Sequence, residues 1–416
     1  MDLTLFLISI WVGSIIFFSA IIAPTVFKAL DEKNAGIFLR AFFPKYYIFG
    51  IILGFIALIL GIKAMSLILV SMVVAMILLC IISRLMIPVI NAARDMGVEG
   101  ESRFKKLHTL SVFLNILTLI IGLIFIYMGE IMIYKTIISA DDLKNNLSNQ
   151  NFIIFDCRCD IKDTGYGIKA YTEGHIPNSI FVDVDADLAS EKTSTTGRHP
   201  LPDVNILSEK LSQWGFSNNK QAIIYDDAGG AFASRMWWIL KWLGHDKTAV
   251  LDGALGGWMA SGGKLTTDNT IFERSNFTPS LRDEMHVQIK EVEDAQYKMD
   301  KLIIDARSKE RYLGIKDPVD PVAGHIPGAI SSPLGQNLDK KGHFKSAEEL
   351  KHNFNKVIGE TSSSDIISMC GSGITACHNI LALELAGISD VKLYVGSWSE
   401  WITDKSRPIA TIDSDS

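Results

Sequence analysis

One cysteine lies where the chain should pass from a buried strand into a helix. Residues 365–369, Asp-Ile-Ile-Ser-Met, have the length and pattern of a short buried strand, and residues 376–386 carry apolar side chains at helical spacing. The loop between them, residues 370–375, begins with Cys370 and contains two glycines. Inward-pointing N–H groups of such a loop and the start of the following helix favour a thiolate over a thiol. The pattern predicts a nucleophilic Cys370, with a buried structural cysteine as the alternative.

The other cysteines indicate neither a metal site nor a disulfide framework. The chain has five cysteines, an odd number, and none shows the paired spacing of a zinc site. Cys157 and Cys159 form a Cys-x-Cys pair at a strand end, for which packing is preferred over chelation or oxidation. We therefore expect no metal and no cofactor. The net charge of −6 and the lack of a basic stripe argue against nucleic-acid binding.

The first third of the chain is far more apolar than the rest. Ile, Leu, Val, Phe and Met dominate from Leu3 to Met128, whereas charged residues occur throughout from Ala140 onward. Four apolar stretches are each near the ~20 residues that cross a bilayer, at 3–26, 46–62, 66–90 and 107–128. The first lacks the basic start and cleavage site of a signal peptide. These features predict a four-helix transmembrane domain over residues 1–133, with the lipid bilayer as its partner.

The placement of Lys and Arg predicts the orientation of these helices. The connections after the first and third stretches carry nine Lys and Arg residues: Lys28, Lys33, Arg40, Lys45, Arg84, Arg94, Arg103, Lys105 and Lys106. The opposite side has only Lys63 in its loop and Lys135 after the fourth stretch. Under the positive-inside rule, the N-terminus and the C-terminal part would lie outside the cytoplasm.

Two polar residues of the fourth stretch have both a functional and a structural interpretation. His108 and Asn115 are seven residues apart and share one helix face, and polar groups inside a membrane are candidates for function. The preferred interpretation is that His108 lies at the interface beside Lys105 and Lys106. Through Ala-Pro-Thr-Val-Phe at 23–27 and Phe-Pro-Lys-Tyr-Tyr at 43–47, the region resembles a small four-helix membrane-protein family of uncharacterised function.

The remaining chain contains one unit twice. Asp-Cys-Arg at 156–158 recurs as Asp-Ala-Arg at 305–307, and Gly-His-Ile-Pro occurs at both 174–177 and 324–327. The segment ending at Asp226 matches the strand that leads to Cys370. Order and spacing agree, which indicates a duplicated domain of roughly 130 residues. Alternating short strands and helices predict two α/β domains with mostly parallel sheets, at 134–275 and 285–411.

These motifs, with Gly-Ser-Trp-Ser-Glu-Trp at 396–401, carry a family resemblance. Residues 135–410 resemble the tandem rhodanese-domain sulfurtransferases, the thiosulfate and 3-mercaptopyruvate sulfurtransferase family. In that family the first copy is inactive and the second carries the cysteine; here Asp226 stands where the second copy has Cys370. The resemblance implies that Cys370 takes sulfur from a small donor as a persulfide. It then passes this sulfur to cyanide or to a thiol acceptor such as thioredoxin.

The resemblance also implies roles for the residues around Cys370. Asp185 and His199 match residues that pair with the loop serine, here Ser372, in 3-mercaptopyruvate enzymes, and Arg311 matches an arginine that binds the substrate anion. The loop residues that would bind the persulfide sulfur are Gly371, Gly373, Ile374 and Thr375. The active site would then lie between the two copies. His175 and His325, in the Gly-His-Ile-Pro turns, are interpreted as structural.

The sequence leaves the sulfur donor open. The uncharged loop 371–373 resembles the 3-mercaptopyruvate type, whereas thiosulfate enzymes more often have Arg or Lys there. However, the 3-mercaptopyruvate enzymes use a second arginine about nine residues after the one that Arg311 matches. This chain has Asp320 there, which cannot bind a carboxylate. Either donor is therefore expected.

Three other functions are alternatives to sulfur transfer. Phosphatases of the same fold have a Cys-x5-Arg loop, but the position of that arginine is Ala376 here, so the phosphate clamp is missing. A membrane-tethered module that binds or senses sulfur would need Cys370 without fast turnover. A transport role coupled to the sulfur site has no specific polar residue in its favour.

Overall fold

A computed structural model divides the chain into two compact units, Met1–Ile133 and Tyr134–Ser416. The structure describes residues 3–61, 67–131 and 133–412. The predicted division of the second unit at 134–275 and 285–411 stays a prediction.

The described residues of the N-terminal unit form four helical spans that are long and apolar enough to cross a membrane, at Leu3–Ala29, Glu32–Gly61, Ile68–Asp95 and Gly97–Met128. Its elements are α1 (Leu3–Phe17), a π-helical turn (Phe18–Ile22), α2 (Ala23–Ala29), α3 (Glu32–Gly61), α4 (Leu67–Asp95), a 3₁₀ turn (Gly97–Gly100) and α5 (Glu101–Ile131). The helices exceed the predicted stretches, since α3 already begins at Glu32 and includes residues expected in a loop. The predicted boundaries at Ile62 and Ser66, and the loop residue Lys63, lie outside the described residues.

Small residues allow close helix packing in this unit. A Cβ atom at Gly50 would lie 2.4 Å from Nε1 of Trp11, and one at Gly54 would lie 2.8 Å from Cζ3 of the same ring. Trp11 is itself buried. The two glycines of α3 therefore make room for the largest side chain of α1, as small residues do in membrane helix pairs.

The polar residues of α5 have different surroundings. Asn115 donates a hydrogen bond of 2.9 Å to the hydroxyl of buried Tyr47 on α3. His108 is exposed and stacks on Phe104, with 5.7 Å between the ring centres. Asn115 thus links two helices, and the position of His108 agrees with the preferred structural interpretation.

The second unit contains two five-stranded sheets of the same topology. The strands are β1 (Ile137–Ile138), β2 (Phe152–Asp156), β3 (Ser179–Phe181), β4 (Gln221–Tyr225), β5 (Thr248–Leu251), β6 (His286–Val287), β7 (Leu302–Asp305), β8 (Ile330–Ser331), β9 (Ile366–Met369) and β10 (Lys392–Tyr394). The sheet orders are β1-β5-β4-β2-β3 and β6-β10-β9-β7-β8, and every pairing between these strands is parallel. The predicted α/β class with parallel sheets is confirmed.

Ten helices connect and cover these strands in the described part of the unit. They are α6 (Ala140–Asn146), α7 (Tyr166–Glu173), α8 (Val204–Gln213), α9 (Ala233–Trp242), α10 (Ala254–Ala260), α11 (Ile289–Lys298), α12 (Lys309–Tyr312), α13 (Ala347–Ile358), α14 (Ala376–Leu385) and α15 (Ser397–Trp401). All residues of the central strands β4 and β9 are buried, because helices cover both faces of a parallel sheet.

The two copies share one hydrophobic core. Every residue of α9 is buried except Lys241, which forms an ion pair with Glu384 of α14. A single cluster of buried apolar residues includes Trp238 of the first copy and Leu381 of the second. The two copies are therefore joined as one folded body, and groups between them have fixed positions.

The repeated Asp-x-Arg motif forms a brace in each copy. Arg158 donates two hydrogen bonds from Nε to the Asp156 carboxylate, both of 3.0 Å, and one of 2.8 Å from Nη2 to the carbonyl of Gly174. The same contacts recur in the second copy among Asp305, Arg307 and Gly324. The brace links the end of β2 or β7 to the Gly-His-Ile-Pro turn of the same copy, which explains why the two motifs recur together.

The histidines of these turns are packed into the fold. His175 stacks on Tyr171 and His325 stacks on Tyr312, each with 3.8 Å between ring centres. Both histidines are buried. These contacts agree with the structural interpretation.

The brace generates a stability prediction. Arg307 and Asp305 are fully buried, so Arg307→Met leaves an unpaired carboxylate and should lower the free energy of unfolding by about 3–5 kcal/mol. The control is Arg274→Met, which removes an exposed ion pair with Glu209 and should leave the free energy of unfolding nearly unchanged. Thermal unfolding of the detergent-solubilised chain measures both. Equal shifts in Tm would contradict the brace.

Candidate active site

Cys370 lies directly after β9, and α14 begins six residues later at Ala376. Its Sγ accepts an N–H hydrogen bond from Gly373, with 3.1 Å between N and S, and a longer one of 3.5 Å from Ser372. The side chain is 1% exposed. The strand–loop–helix arrangement agrees with the prediction, and the loop directs two donors at the sulfur. Such donors, together with the helix N-terminus, place partial positive charge around the sulfur.

Two glycines of this loop have different roles. Gly373 has a φ of +77°, and a Cβ there would lie 2.3 Å from the carbonyl oxygen of Val395. At Gly371 a Cβ would meet Nη2 of Arg198 at 2.9 Å and Nη2 of Arg311 at 3.1 Å. The first glycine permits the turn, and the second lets two guanidinium groups lie on the loop.

The segment after β10 forms hydrogen bonds with the backbone of the cysteine loop. The Ser397 hydroxyl accepts from the N–H of Cys370 at 3.1 Å, and the N–H of Trp398 donates to the Cys370 carbonyl at 3.0 Å. The N–H of Ser399 donates to the carbonyl of Gly371 at 2.9 Å. The Gly-Ser-Trp-Ser-Glu-Trp motif therefore fixes the backbone that carries the cysteine.

The equivalent loop of the first copy holds a carboxylate. Asp226 is fully buried, and its two oxygens accept four backbone N–H hydrogen bonds of 2.8–2.9 Å, from Ala228, Gly230, Phe232 and Ala233. Burial raises the pKa of Asp226, and the four donors oppose part of this rise. The loop of this fold is thus an anion-binding backbone, which contains a fixed anion in one copy and a cysteine in the other.

Three predicted residues form a hydrogen-bonded chain across the two copies. Nε2 of His199 lies 2.8 Å from Oδ1 of Asp185, and Nδ1 lies 2.8 Å from Oγ of Ser372. A carboxylate only accepts, so Nε2 carries the hydrogen, and in the neutral ring Nδ1 accepts from the serine hydroxyl. The hydrogen bond from His199 lowers the pKa of Asp185. The structure therefore brings Ser372, His199 and Asp185 together as predicted.

The predicted anion-binding arginine lies at the loop but is held by acids. Arg311 donates from Nε to Asp317 at 2.9 Å and from Nη2 to Asp320 at 2.5 Å. Asp320 also forms an ion pair with Arg198, which comes from the first copy. Asp320 thus bridges two guanidinium groups above the cysteine loop.

Two further arginines of this site, Arg198 and Arg235, were not predicted from the sequence. Arg198 precedes His199 in the chain, and this adjacency to a predicted site residue was the available signal. Arg235, on α9, is fully buried and donates to the carbonyls of Gly373 at 3.1 Å and His199 at 3.2 Å. Burial lowers its pKa. Nothing in the sequence distinguishes Arg235 from a surface helix residue.

A pocket of about 280 Å³ opens beside the loop. It is lined by Cys159, Ile161, Lys162, Asp185, Arg198, His199, Phe232, Pro318, Val319 and Ile374. Of the predicted substrate-binding residues, Ile374 lines this pocket, and so do His199 and Asp185, which were predicted as catalytic. Thr375, at the N-cap of α14, is not among these lining residues. The pocket lies between the two copies and adjoins the cysteine loop.

The other cysteines of the second unit are poor nucleophiles. Cys157 is buried beside the sulfur of Met236, 3.7 Å away, and burial raises its pKa. Burial also raises the pKa of both Cys159 and Cys377 to about 12, so these groups are thiols at neutral pH. Packing therefore accounts for Cys157. Within the described ranges, no cluster of three or more His, Cys, Asp or Glu side chains could hold a metal ion.

Comparison with known families agrees with this geometry. The rhodanese-like domain family matches residues 139–261 and 288–404. A domain of unknown function (DUF4149) matches residues 6–99.

Curated relatives and solved structures match the second unit. The chain is 40% identical over 279 residues to a probable 3-mercaptopyruvate sulfurtransferase of Pseudomonas aeruginosa, covering 67% of this chain and 98% of that protein. It is 32% identical over 312 residues to the mitochondrial thiosulfate/3-mercaptopyruvate sulfurtransferase 1 of Arabidopsis thaliana, covering 68% and 80%.

Among solved structures, a 3-mercaptopyruvate sulfotransferase of Escherichia coli matches with a TM-score of 0.56 and 30% identity, over 64% of this chain and 100% of that chain. Because two rhodanese-like domains cover more than half of its residues, the chain belongs to the tandem rhodanese-domain sulfurtransferases of the thiosulfate/3-mercaptopyruvate type, with four apolar helices at its N-terminus.

Proposed function

We propose that this protein is a membrane-anchored sulfurtransferase in which Cys370 carries the transferred sulfur as a persulfide. The observation that supports this most directly is the Cys370 loop, where backbone N–H groups converge on Sγ. The serine–histidine–aspartate chain and two guanidinium groups meet at the same loop. A site that stabilises negative charge on sulfur suits a thiolate before transfer and a persulfide anion after it.

With thiosulfate, the reaction is a displacement at sulfur. The Cys370 thiolate attacks the outer sulfur, a new S–S bond forms, and the old S–S bond breaks with its electron pair leaving on sulfite. The terminal persulfide sulfur retains one negative charge. Attack of cyanide or an acceptor thiolate on this sulfur then regenerates the Cys370 thiolate. With cyanide the product is thiocyanate, and no external oxidant or reductant is needed.

With 3-mercaptopyruvate, the hydrogen bonds that join Ser372, His199 and Asp185 gain a role in proton transfer. The thiolate attacks the donor sulfur, the C–S bond breaks, and its electron pair becomes an enolate of pyruvate. The thiol proton of the donor must reach the carbon that loses sulfur. Ser372 is 6% exposed, belongs to the cysteine loop and is hydrogen-bonded to His199, so its hydroxyl can relay this proton. Asp185 orients His199 for this transfer.

Both donor classes belong to the proposal, with cyanide or a thiol such as thioredoxin as acceptor. The relatives named above are sulfurtransferases of the 3-mercaptopyruvate and thiosulfate types. The four apolar helices support anchoring in a bilayer. The Lys/Arg bias supports a location of the sulfurtransferase unit outside the cytoplasm.

The nucleophile is tested by the mass of the intact protein. Incubation with thiosulfate should add about 32 Da, one sulfur atom, to the wild type and nothing to Cys370→Ala. Cys159→Ser is the matched control, since Cys159 borders the same pocket, and it should gain the sulfur as the wild type does. An adduct that persists in Cys370→Ala would contradict the assignment. A persulfide without turnover with any acceptor would favour the non-catalytic sulfur-binding alternative.

The hydrogen bond between His199 and Asp185 predicts a pH dependence. Because this bond lowers the Asp185 pKa in the folded protein, its stabilising contribution is complete above the ordinary carboxyl pKa of about 3.9 and is lost as the pH falls through the lowered value. Asp185 therefore stays ionised from pH 5 to 8. Asp185→Asn should lower kcat with 3-mercaptopyruvate by about 10- to 100-fold throughout this range.

The pH–rate profiles of both proteins measure this effect. If wild-type activity instead declines through a pKa between 5 and 6 that the variant lacks, the proposed ionisation state of Asp185 is wrong.

Membrane orientation is tested by protease accessibility. In intact spheroplasts of an expressing bacterium, added protease should degrade the sulfurtransferase unit, because the positively charged connections hold their side in the cytoplasm. A cytoplasmic protein of the host, which should survive until lysis, controls for intactness. Protection of the sulfurtransferase unit until lysis would show the opposite orientation.

A further inference from the structure

Two guanidinium groups from different copies cover the cysteine loop. Nη2 of Arg198 and Nη2 of Arg311 would lie 2.9 and 3.1 Å from a Cβ atom at Gly371, the residue after the nucleophile. Their side chains are 22% and 16% exposed. Both are therefore placed to meet the anionic group of a donor whose sulfur reaches Cys370.

Asp320 lies between these arginines. One of its oxygens pairs with Arg198 and the other with Arg311, and its side chain is 1% exposed. The preceding turn is built to hold it, because Oδ1 of Asp317 accepts the backbone N–H of Asp320 at 2.9 Å and the Nε hydrogen of Arg311 at 2.9 Å. The Asp320 carboxylate is thus held in a fixed position between the two arginines.

The bridge sets the net charge at the loop. Arg198, Arg311 and Arg307 contribute three positive charges, and Asp320, Asp317 and Asp305 contribute three negative charges. The three carboxylates therefore offset the three guanidinium groups. This network leaves no excess positive charge to offset the second charge of a doubly charged donor. Arg198 also has a buried Nε without a hydrogen-bond partner among the described residues, so its bonding capacity is not exhausted by Asp320.

We propose that Arg198 is a second donor-binding arginine supplied by the first copy, and that Asp320 selects a singly charged donor over a doubly charged one. This inference rests on the proposed function of Cys370. A carboxylate, the single charge of 3-mercaptopyruvate with its thiol protonated, can accept from both Nη2 groups. Thiosulfate brings a second negative charge close to Asp320, which repels it.

The proposed selection between the two donors is tested by removing the charge of Asp320. Asp320→Asn leaves this network with one excess positive charge, so kcat/KM for thiosulfate should rise about tenfold while that for 3-mercaptopyruvate changes less than about threefold. The matched control is Asp252→Asn. It removes another acidic contact between the copies, with the N–H of Phe344 at 2.8 Å, and should leave the ratio of the two donors unchanged.

Two variants test Arg198 itself. Arg198→Gln should lower kcat/KM for both donors by about 100-fold. Arg198→Lys keeps the charge but loses the planar fork, and it should raise KM for 3-mercaptopyruvate about tenfold with kcat within about threefold of wild type. A residue that only joined the two copies would change the Tm and leave KM as in the wild type.

The outcomes separate this inference from the proposed function. If both donors form the Cys370 persulfide but Asp320→Asn leaves their ratio unchanged, or lowers both equally, the selection by Asp320 is wrong. An unchanged KM in Arg198→Lys, together with unchanged kcat/KM in Arg198→Gln, overturns the role of Arg198. If neither donor forms a persulfide in the wild type, the proposed function fails first.

Discussion

The anion-binding backbone after the central strand is the constraint on which the rest of the site depends. In both copies the chain turns from a buried parallel strand into a helix, and the N–H groups of the turn point inward. Asp226 accepts four of them, and Sγ of Cys370 accepts two. The fold supplies the electrostatic environment in each copy, and the residue at the turn decides whether sulfur chemistry is possible there.

The first copy has no cysteine at its turn, yet the site depends on it. Asp185, His199 and Arg198 approach the cysteine loop from the first copy, and Arg235 binds the backbone of that loop from α9. Such a divided site works only if the copies keep a fixed geometry. The common core around α9 and α14 meets this requirement, because rearranging it would expose large apolar side chains.

Local features of the site could be predicted from the sequence pattern, whereas contacts between the copies could be predicted only where the family resemblance implied them, as for Ser372, His199 and Asp185. The position of Cys370 follows from a strand, a glycine-containing loop and a helix that are consecutive in the chain. The role of Asp320 depends on Arg198, which is 122 residues away. In the sequence Asp320 stands where an arginine is expected, and the structure places an arginine of the first copy beside it. Likewise, His108 and Asn115 share a helix face in the pattern but have different neighbours in the bundle.

A crystal structure after exposure to thiosulfate would show whether this backbone holds the transferred sulfur on Cys370. We expect density for one extra sulfur bonded to Sγ of Cys370 and lying within about 3.5 Å of backbone nitrogens of the loop. The turn at Asp226 should be unchanged. Extra sulfur on Cys159 or Cys377, or a persulfide that points away from the loop nitrogens, would show that the loop does not hold the transferred sulfur.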